Sequence, residues 1–425
     1  MNMHLNSLEI AKLPNIFQLI TAIKSEEEAQ INSFKGWSGY TLNGSPLLHG
    51  GNYLWNSDRV YINDVSNDLF IVNRLNSRRY CFKPNLREHL YLFRGQNTSY
   101  ERILSSFSRG DLDDHLISNL KCEDFICLLR THPLFMMFEK GIHLEPGKKP
   151  FFFEMNYYGL AQHYGFNTGL VDFTSDISVA AFFACTKYNG NDTYEPIVDT
   201  NQYPYGVIYI HKIIPSGSFV GLGFRNIGLQ IYPRTGVQKG FFYEEGGTRI
   251  PLERLVTPCY FKHEAACSRK VFELQKEGKR LFPIDDVQPY AQEILKSQEI
   301  TGTVFANNLY TNQDDYVLNL QRLTNKGIRV NWHKRWMFTK DMLHSYYQDI
   351  KNGLWEKFCN QISFVDEHEK ELKESLLNIP KDSHYRQYFL ENEFDKLQYV
   401  PLHDKDRAEK NMRHHVESKH IRPSE

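Results

Sequence analysis

The sequence predicts an α+β fold, in which helices flank a sheet of short strands and a mostly helical region follows. Three observations carry this prediction. Short apolar segments recur between residues 90 and 243, as the strands of a buried sheet do. Residues 177–188 are apolar on every side, which is typical of a helix buried in a core. After about residue 300 the chain becomes charged and helical, most clearly over residues 335–398.

The predicted helices and strands do not alternate regularly along the chain. Ile16, Leu19 and Ile23 recur at helical spacing and predict a first helix over residues 13–29, and a polar turn at residues 66–68 predicts a hairpin over 58–75. Further strands are predicted at residues 90–93, 170–174, 206–213, 228–232 and 240–243, and further helices at 111–138, 151–164, 177–188, 259–277 and 289–296. We expect three regions: an N-terminal helix and strand/loop region at 1–85 packed on the core, a central domain at 86–300, and a mostly helical region at 301–425.

The composition limits the classes of protein to which this chain can belong. The 425 residues, 41% hydrophobic and 24% charged, are those of an ordinary soluble protein of two or three domains. A net charge of −1 gives no overall attraction to nucleic acid or membrane. The odd count of 7 cysteines without a CxxC pair predicts reduced thiols in a cytoplasm and no metal site. No apolar run approaches the roughly 20 residues that span a bilayer, and the N-terminus lacks a signal peptide's basic and apolar regions.

The most informative stretch runs from Leu160 to Ser175. A short helix ends at Gly165, and a buried strand then carries polar residues to its end. The polar side chains of the stretch are Gln162, His163, Tyr164, Thr168, Asp172, Thr174 and Ser175. A helix cap and a core strand explain some of them, but not why so many gather around two apolar elements. Such a cluster on a rigid support is how enzymes present chemistry.

Two other segments end in polar residues. Arg94 follows a buried strand, where it needs either an acidic partner or a phosphate or carboxylate ligand for its planar fork. Gln238 follows Arg234-Thr235-Gly236-Val237 at the predicted end of a third strand, where a turn is the simpler explanation of its polarity. The nucleophile-elbow, zincin and phosphate-loop motifs are absent from the sequence.

A basic stretch lies between Arg322 and Lys340 without a single acid. Its cations are Arg322, Lys326, Arg329, Lys334, Arg335 and Lys340, and its interleaved aromatics are Trp332, Trp336 and Phe338. Aromatics among cations can stack bases and pair phosphates of a single-stranded nucleic acid. A solvated face with its aromatics turned to the core explains the same pattern.

Ordered blocks over residues 86–300 resemble the FRG domain family, named for its Phe-Arg-Gly motif. The blocks are Phe93-Arg94-Gly95-Gln96, Gln162-His163-Tyr164-Gly165 with Asp172-Phe173-Thr174, Gly206-Val207-Ile208-Tyr209-Ile210, Arg234 to Phe242, and Cys259 to Phe282. FRG domains resemble the NAD-dependent ADP-ribosyltransferases and occur in toxin and anti-phage settings. The resemblance implies an ADP-ribosyltransferase-like split β-sheet core with flanking helices, and NAD as the substrate.

The resemblance also implies site residues. Arg94 would hold the pyrophosphate or ribose side of NAD, and Gly95 would lie where backbone groups hold the nicotinamide amide. Tyr164, Thr174 and Ser175 would shape the nicotinamide pocket. Gln238 stands at the third motif, where the transferases usually carry a glutamate, often two residues after a Gln or Glu; that place is Gly240 here. The substitutes in the chain are Glu154, Glu244 and Glu245.

The implied function is transfer of ADP-ribose to RNA, DNA or protein, by a toxin or defence effector. An antitoxin protein would then be a partner, and Arg322–Lys340 a contact for single-stranded nucleic acid. NAD hydrolysis without a macromolecular acceptor, or a non-catalytic nucleotide- or partner-binding module that keeps the fold, stay open as alternatives.

Overall fold

The computed structural model describes residues 5–34, 70–74, 79–84, 91–142, 150–190, 192–212, 223–245, 250–312, 316–363 and 370–378. Its strands are β1 (Phe70–Arg74), β2 (Arg79–Pro84), β3 (Tyr91–Gln96), β4 (Phe152–Phe153), β5 (Leu170–Thr174), β6 (Thr186–Gly190), β7 (Thr193–Pro196), β8 (Tyr205–Lys212), β9 (Phe224–Asn226), β10 (Gly240–Glu244), β11 (Thr257–Lys262), β12 (Glu299–Thr301), β13 (Arg329–Asn331) and β14 (Ile362–Ser363).

Helices cover much of the remaining described chain. They are α1 (Ser7–Ala11), α2 (Ile16–Phe34), α3 (Leu112–Leu129), α4 (Pro133–Lys140), α5 (Tyr157–His163), α6 (Ile177–Cys185), α7 (Pro233–Val237), α8 (Ala265–Leu274), α9 (Gln288–Lys296), α10 (Gly302–Asn312), α11 (Tyr316–Asn325), α12 (Lys340–Asp349), α13 (Trp355–Cys359) and α14 (Lys370–Asn378). The first strand and turn of the hairpin predicted at residues 58–75, and the predicted helical residues 379–398, lie outside the described ranges.

A six-stranded sheet forms the centre of the molecule, in the order β11-β8-β3-β5-β10-β9. Neighbouring strands are antiparallel throughout. The apolar helix α6 packs against β3, and its Ala180, Phe182 and Ala184 are buried completely. Because strands and helices share one core in this arrangement, the predicted α+β class is confirmed.

The sheet is nearly divided between β3 and β5. Their pairing is confined to Phe93 and Thr174, whereas β3 pairs with β8 along its whole length and β5 pairs with β10 along its whole length. The ends of β3 and β5 beyond this one pair are therefore free of each other. The opening lies in the middle of the sheet, at Arg94, Gly95 and Gln96.

A second sheet joins the three predicted regions. Its order is β14-β1-β2-β4, with β1 antiparallel to β2 and the outer strands parallel to their neighbours. β1 and β2 come from the N-terminal region, β4 from the central region and β14 from the C-terminal region. The aromatic cluster above it includes Phe82, Phe138, Phe153 and Trp355, and so draws on the same three regions.

Two predicted helices are wrong at their N-terminal ends. The helix predicted over residues 151–164 begins only at Tyr157, because Phe152 and Phe153 form a strand with β2 and Asn156 caps the helix by accepting a hydrogen bond from the Gly159 N–H. The helix predicted over residues 259–277 begins at Ala265. Residues 257–262 instead form β11, which pairs with β8 and is an edge strand of the sheet.

Two further predictions are corrected. Residues 228–232 form no strand, and β9 lies earlier, at Phe224–Asn226. The helix predicted over residues 111–138 is two helices, because the chain turns at His132, whose Nδ1 accepts a hydrogen bond from the Leu134 N–H at the start of α4.

A buried carboxyl group joins the C-terminal region to α3. Asp124 has no exposed surface, and its two oxygens accept hydrogen bonds from the Thr301 N–H at 3.2 Å and the Thr301 hydroxyl at 2.5 Å. Burial raises the pKa of Asp124 to about 7, against the lowering effect of these hydrogen bonds. An acid whose pKa is raised by folding keeps its proton in the native state while the unfolded chain loses it, so stability falls as pH rises between the two pKa values.

We therefore expect wild type to lose stability as the pH rises from about 4 to about 7. Asp124→Asn, which cannot ionise at this position, should not show this loss. The difference in unfolding free energy between variant and wild type should grow in favour of the variant across that window, by a few kcal/mol at most, on the order of 1.4 kcal/mol per pH unit. Urea unfolding at several pH values measures it. The exposed Asp286→Asn is the control; a parallel pH profile for Asp124→Asn and wild type would contradict the prediction.

Candidate functional site

The opening between β3 and β5 is lined by polar groups. The Arg94 guanidinium lies across it, and its Nη1 donates a hydrogen bond to the Asp172 backbone carbonyl at 2.9 Å. Three buried atoms at the opening have no partner: Arg94 Nε, Gln96 Oε1 and Asp172 Oδ1. A buried polar atom without a partner costs about 1–3 kcal/mol. Such a group of atoms on facing strands is therefore suited to receive a polar ligand.

The charge of Arg94 at the opening is only partly balanced by its surroundings. Burial lowers the pKa of Arg94, the nearby Asp172 raises it, and the like charge of Arg109 lowers it. The side chain of Arg94 contacts a backbone carbonyl and no carboxylate at hydrogen-bond distance. Its charge is therefore only partly compensated by the protein, and an anionic group of a ligand would complete the compensation.

The side of Gly95 that would carry a side chain is turned towards α6, and the prediction that its backbone groups hold a ligand stays a prediction. A Cβ placed on Gly95 would lie 1.8 Å from the Ala180 carbonyl oxygen and 2.9 Å from the Ala184 nitrogen. The backbone of α6 therefore occupies the space beside Gly95. The glycine of the Phe-Arg-Gly motif serves helix packing, which needs a residue without a side chain at this place.

Thr174 and Ser175 lie at the closed end of the opening. The Thr174 hydroxyl donates to the Gln238 carbonyl at 2.7 Å and accepts from the Asp176 N–H at 3.0 Å. It is thus used in joining β5 to α7 and α6. The Ser175 Oγ is buried without a partner, and Asp176 is the residue that caps α6.

Gln238 follows a helix, so the prediction that it ends a strand is wrong. Pro233 begins α7, a position where proline is favoured because its missing N–H costs nothing. Gln238 ends this short helix, and its side-chain amide donates to the Leu281 carbonyl at 2.9 Å. The structure thus places Gln238 beside Thr174, but with its amide nitrogen bonded inside the chain.

Arg234 is the centre of a polar cluster beside β5. Its guanidinium has no exposed surface; Nη1 donates to Asp192 Oδ2 at 2.7 Å and to the His163 carbonyl at 3.0 Å. Its guanidinium carbon lies 4.4 Å from the centroid of the Tyr164 ring. The Tyr164 hydroxyl donates in turn to Asp285, and burial raises the pKa of Tyr164. Tyr164 therefore packs under a cation of its own chain.

His163 links this cluster to the opening. Burial lowers the pKa of His163, while Asp172 raises it and Arg234 lowers it further. The imidazole is therefore neutral at neutral pH. Its Nε2 is buried without a partner, whereas the residue as a whole is half-buried.

The three glutamates that were substitutes for a catalytic carboxylate lie elsewhere. Glu154 lines a pocket with Cys81, Arg225 and Asn226, and burial raises its pKa against the effects of Arg79 and Arg225. Glu244 accepts a hydrogen bond from Arg225 at 2.9 Å, beside the same pocket. Glu245 accepts from the Ser105 N–H and the Ser108 hydroxyl. Asp172 is the carboxylate at the opening itself.

The basic stretch between Arg322 and Lys340 is occupied by contacts within the chain. Four of its cations pair with acids of other segments: Arg322 with Asp113, Lys326 with Asp111 and Asp114, and both Arg329 and Lys334 with Glu299. Phe338 is completely buried and Trp336 nearly so. The acids lie far away in the sequence, which is why the stretch looked like an unpaired cationic surface.

Arg234, Asp192 and Asp285 were not among the site residues predicted from the sequence. Pro233 at the start of a helix was a signal for Arg234, because it places the arginine in the first turn rather than in a strand. The two aspartates carried no comparable signal, because their relation to Arg234 arises only when distant loops meet.

Among the helices in the described ranges, none combines the length and apolar character that a membrane crossing needs.

Comparisons with known proteins give one match. No curated protein and no solved structure is similar enough to match the chain. Residues 89–193 match the family model of the FRG domain. This range contains β3, β5 and α6, and with them Arg94, His163 and Asp172. The chain therefore carries an FRG domain, and the opening between β3 and β5 lies within it.

Proposed function

We propose that this protein is an NAD-dependent ADP-ribosyltransferase that modifies a macromolecule, as a toxin or defence effector. The observation that carries the proposal is the opening between β3 and β5, where Arg94 Nε and Asp172 Oδ1 are buried without hydrogen-bond partners in the described part of the chain. The resemblance to the transferases implies a split β-sheet core, and the parting of β3 and β5 beside Arg94 supports the proposal on that ground. NAD offers both an anionic pyrophosphate and ribose hydroxyls, which suits a cation with a carboxylate nearby.

In the proposed reaction, Arg94 binds a phosphate of NAD. The bond between the ribose C1′ and the nicotinamide nitrogen breaks, and its electron pair leaves with nicotinamide. The sugar then carries positive charge, which Asp172 stabilises by accepting a hydrogen bond from a ribose hydroxyl. A nucleophile of the acceptor attacks C1′ and loses its proton. Asp172 thereby takes the part for which Gln238 and Glu154 were candidates from the sequence.

A carboxylate that acts in the transition state predicts a specific kinetic effect. We expect Asp172→Asn to lower kcat for NAD consumption roughly tenfold with little change in KM, because a charged acceptor is replaced by a neutral one of equal shape. The control is Glu195→Gln, which removes an exposed carboxylate paired only with Lys187. An unchanged kcat in Asp172→Asn would remove Asp172 from the reaction.

A non-catalytic nucleotide-binding module is the second candidate. The observation in its favour is that the third motif offers no carboxylate: Gly240 stands at that place and the Gln238 amide nitrogen is bonded to Leu281. Such a module would bind NAD at the opening and leave it intact.

One experiment separates the candidates. The purified chain is incubated with NAD labelled in the adenylate part, with and without cell lysate that has been treated with nuclease or protease. Label on a nuclease-sensitive or protease-sensitive product supports the transferase and identifies the class of acceptor. Free ADP-ribose alone indicates a hydrolase, and intact NAD under every condition contradicts both enzymes.

A further inference from the structure

A pocket separate from the opening lies where the edge of the six-stranded sheet meets the second sheet. It offers about 290 Å³ of space that is continuous with the solvent, a size that suits a small ligand. Because β10 lies between β9 and β5, this pocket and the opening are different places. Its lining residues are Cys81 of β2, Glu154 and Asn156 between β4 and α5, and Arg225, Asn226 and Ile227 at the end of β9 and directly after it.

Backbone contacts hold the walls of this pocket in place. The Phe82 carbonyl of β2 accepts a hydrogen bond from the Leu229 N–H at 3.0 Å, and a Cβ placed on Gly228 would lie 1.6 Å from the same carbonyl oxygen. The chain beyond β9 therefore lies directly against β2. On the other wall, the Glu154 N–H donates to the Tyr80 carbonyl at 2.7 Å. Walls fixed in this way form a pocket before any ligand arrives.

Two acceptor groups in the pocket have no donor among the described residues. The Glu154 side chain is half-buried, forms no hydrogen bond or ion pair with that part of the chain, and has its pKa raised by burial. Asn226 is 8% exposed and uses its amide nitrogen on the Phe82 carbonyl at 3.4 Å, which leaves its Oδ1 buried without a partner. A buried acceptor without a donor costs about 1–3 kcal/mol. A ligand that brings N–H groups would remove this cost.

The charges around the pocket favour a cationic ligand. Arg225 lies on the wall, but its Nε donates to Glu244 at 2.9 Å, so that carboxylate compensates its charge. Arg79 acts on Glu154 from an exposed position, where solvent and salt screen it. Within the described chain, Glu154 is thus left without a paired cation, and it would repel an anionic ligand.

The acceptors suit an ammonium group better than a metal ion. A primary ammonium has three N–H donors, enough for a carboxylate and an amide oxygen together. Ca²⁺ and Mg²⁺ take about six or more oxygen ligands, whereas no group of three His, Cys, Asp or Glu side chains in the described ranges is placed to hold a metal. Ile227 adds an apolar wall against which the carbon atoms of an amine can pack.

We propose that the pocket between β2 and β9 binds a small primary ammonium ion, with its N–H groups on Glu154 and Asn226 and its alkyl carbons against Ile227. The site is independent of the proposed function, because it lies outside the opening and involves no NAD. It gives Glu154 a role other than that of the substitute catalytic carboxylate named from the sequence.

The test titrates three probes into the full chain, in an amine-free buffer of low ionic strength, and follows binding by ligand-detected NMR. The probes are butylammonium, tetramethylammonium, which has the charge without N–H donors, and 1-butanol, which has the alkyl chain without the charge. Butylammonium should bind at millimolar concentration and the other two at least about tenfold more weakly, a difference of about 1.4 kcal/mol. Equal binding of tetramethylammonium, no binding of butylammonium, or its displacement by Mg²⁺ at equal concentration would overturn the proposal.

Two variants with opposite expected effects locate the site. Glu154→Gln keeps the shape of the side chain and removes its charge, and should weaken butylammonium binding about tenfold, because hydrogen bonds to charged acceptors are roughly twice as strong as neutral ones. Arg225→Gln removes a like charge from the wall and should strengthen binding roughly two- to fivefold, the size of a partly exposed charge interaction. Glu195→Gln, at an exposed pair with Lys187, is the control and should leave binding unchanged.

Thermal unfolding checks that the variants are folded. Glu154→Gln should melt at the wild-type temperature or above it, because the carboxyl group that it replaces has no partner among the described residues. Unchanged binding in Glu154→Gln would overturn the proposal. Weaker binding in Arg225→Gln would show that the arginine holds the probe, and this second result does not depend on whether Glu154→Gln folds.

Discussion

Replacing Arg94 by alanine is expected to lower NAD consumption by about 10²–10³-fold, the usual effect of removing a donor that stabilises developing or substrate charge. The guanidinium lies across the opening between β3 and β5, and its Nε has no partner among the described residues. We expect the fold to persist, because the described hydrogen bond of Arg94 is to a backbone carbonyl and removing the guanidinium leaves no buried acid without its partner. Initial rates of NAD loss and a thermal unfolding curve measure the two effects.

The conservative variant sharpens this expectation. Arg94→Lys should restore little activity, because an ammonium group cannot donate two parallel hydrogen bonds to a phosphate. Arg254→Ala, a change of an exposed arginine in a surface turn, is the control. Full activity in Arg94→Lys would mean that a point charge suffices. Loss of the fold in Arg94→Ala would assign the residue to structure.

Replacing Gly95 by alanine should have the largest effect on stability. The added Cβ would lie 1.8 Å from the Ala180 carbonyl oxygen, about half of an ordinary contact distance, and 2.9 Å from the Ala184 nitrogen. Both atoms belong to the backbone and cannot rotate away. α6 would have to move off β3, and with it the completely buried Ala180, Phe182 and Ala184. We expect a loss of about 3 kcal/mol or more, the upper range for overpacked cores, or failure to fold.

A matched glycine gives the control. Gly169 precedes β5, and a Cβ placed there would meet nothing within 4 Å. Gly169→Ala should therefore unfold within a degree or two of wild type, whereas Gly95→Ala should unfold several degrees lower or not accumulate. Equal melting temperatures for the two variants would show that α6 does not pack on β3 as described. If Gly95→Ala folds but cannot bind NAD, the glycine would return to the ligand site.

Local sequence patterns predicted the fold class, the place of most elements and the FRG domain. Apolar runs predicted β5, β8 and β10, and the all-apolar segment at residues 177–188 predicted the buried helix α6. These predictions succeed because burial imposes its pattern on neighbouring residues. The motif blocks were also local, so the FRG domain could be identified before any contact was known.

The partners of the polar side chains could be seen only in the folded chain. The backbone of α6 leaves no room for a side chain at Gly95, and pairing with β2 makes the start of a predicted helix the strand β4. Asp192 pairs with Arg234, and Asp285 accepts a hydrogen bond from Tyr164, although each partner lies in another segment. The basic stretch is paired in the same way with Glu299 and with three aspartates of α3 and its cap. Hydrogen bonds and charge pairs depend on distance in space, and sequence spacing carries no information about partners that lie tens to hundreds of residues apart.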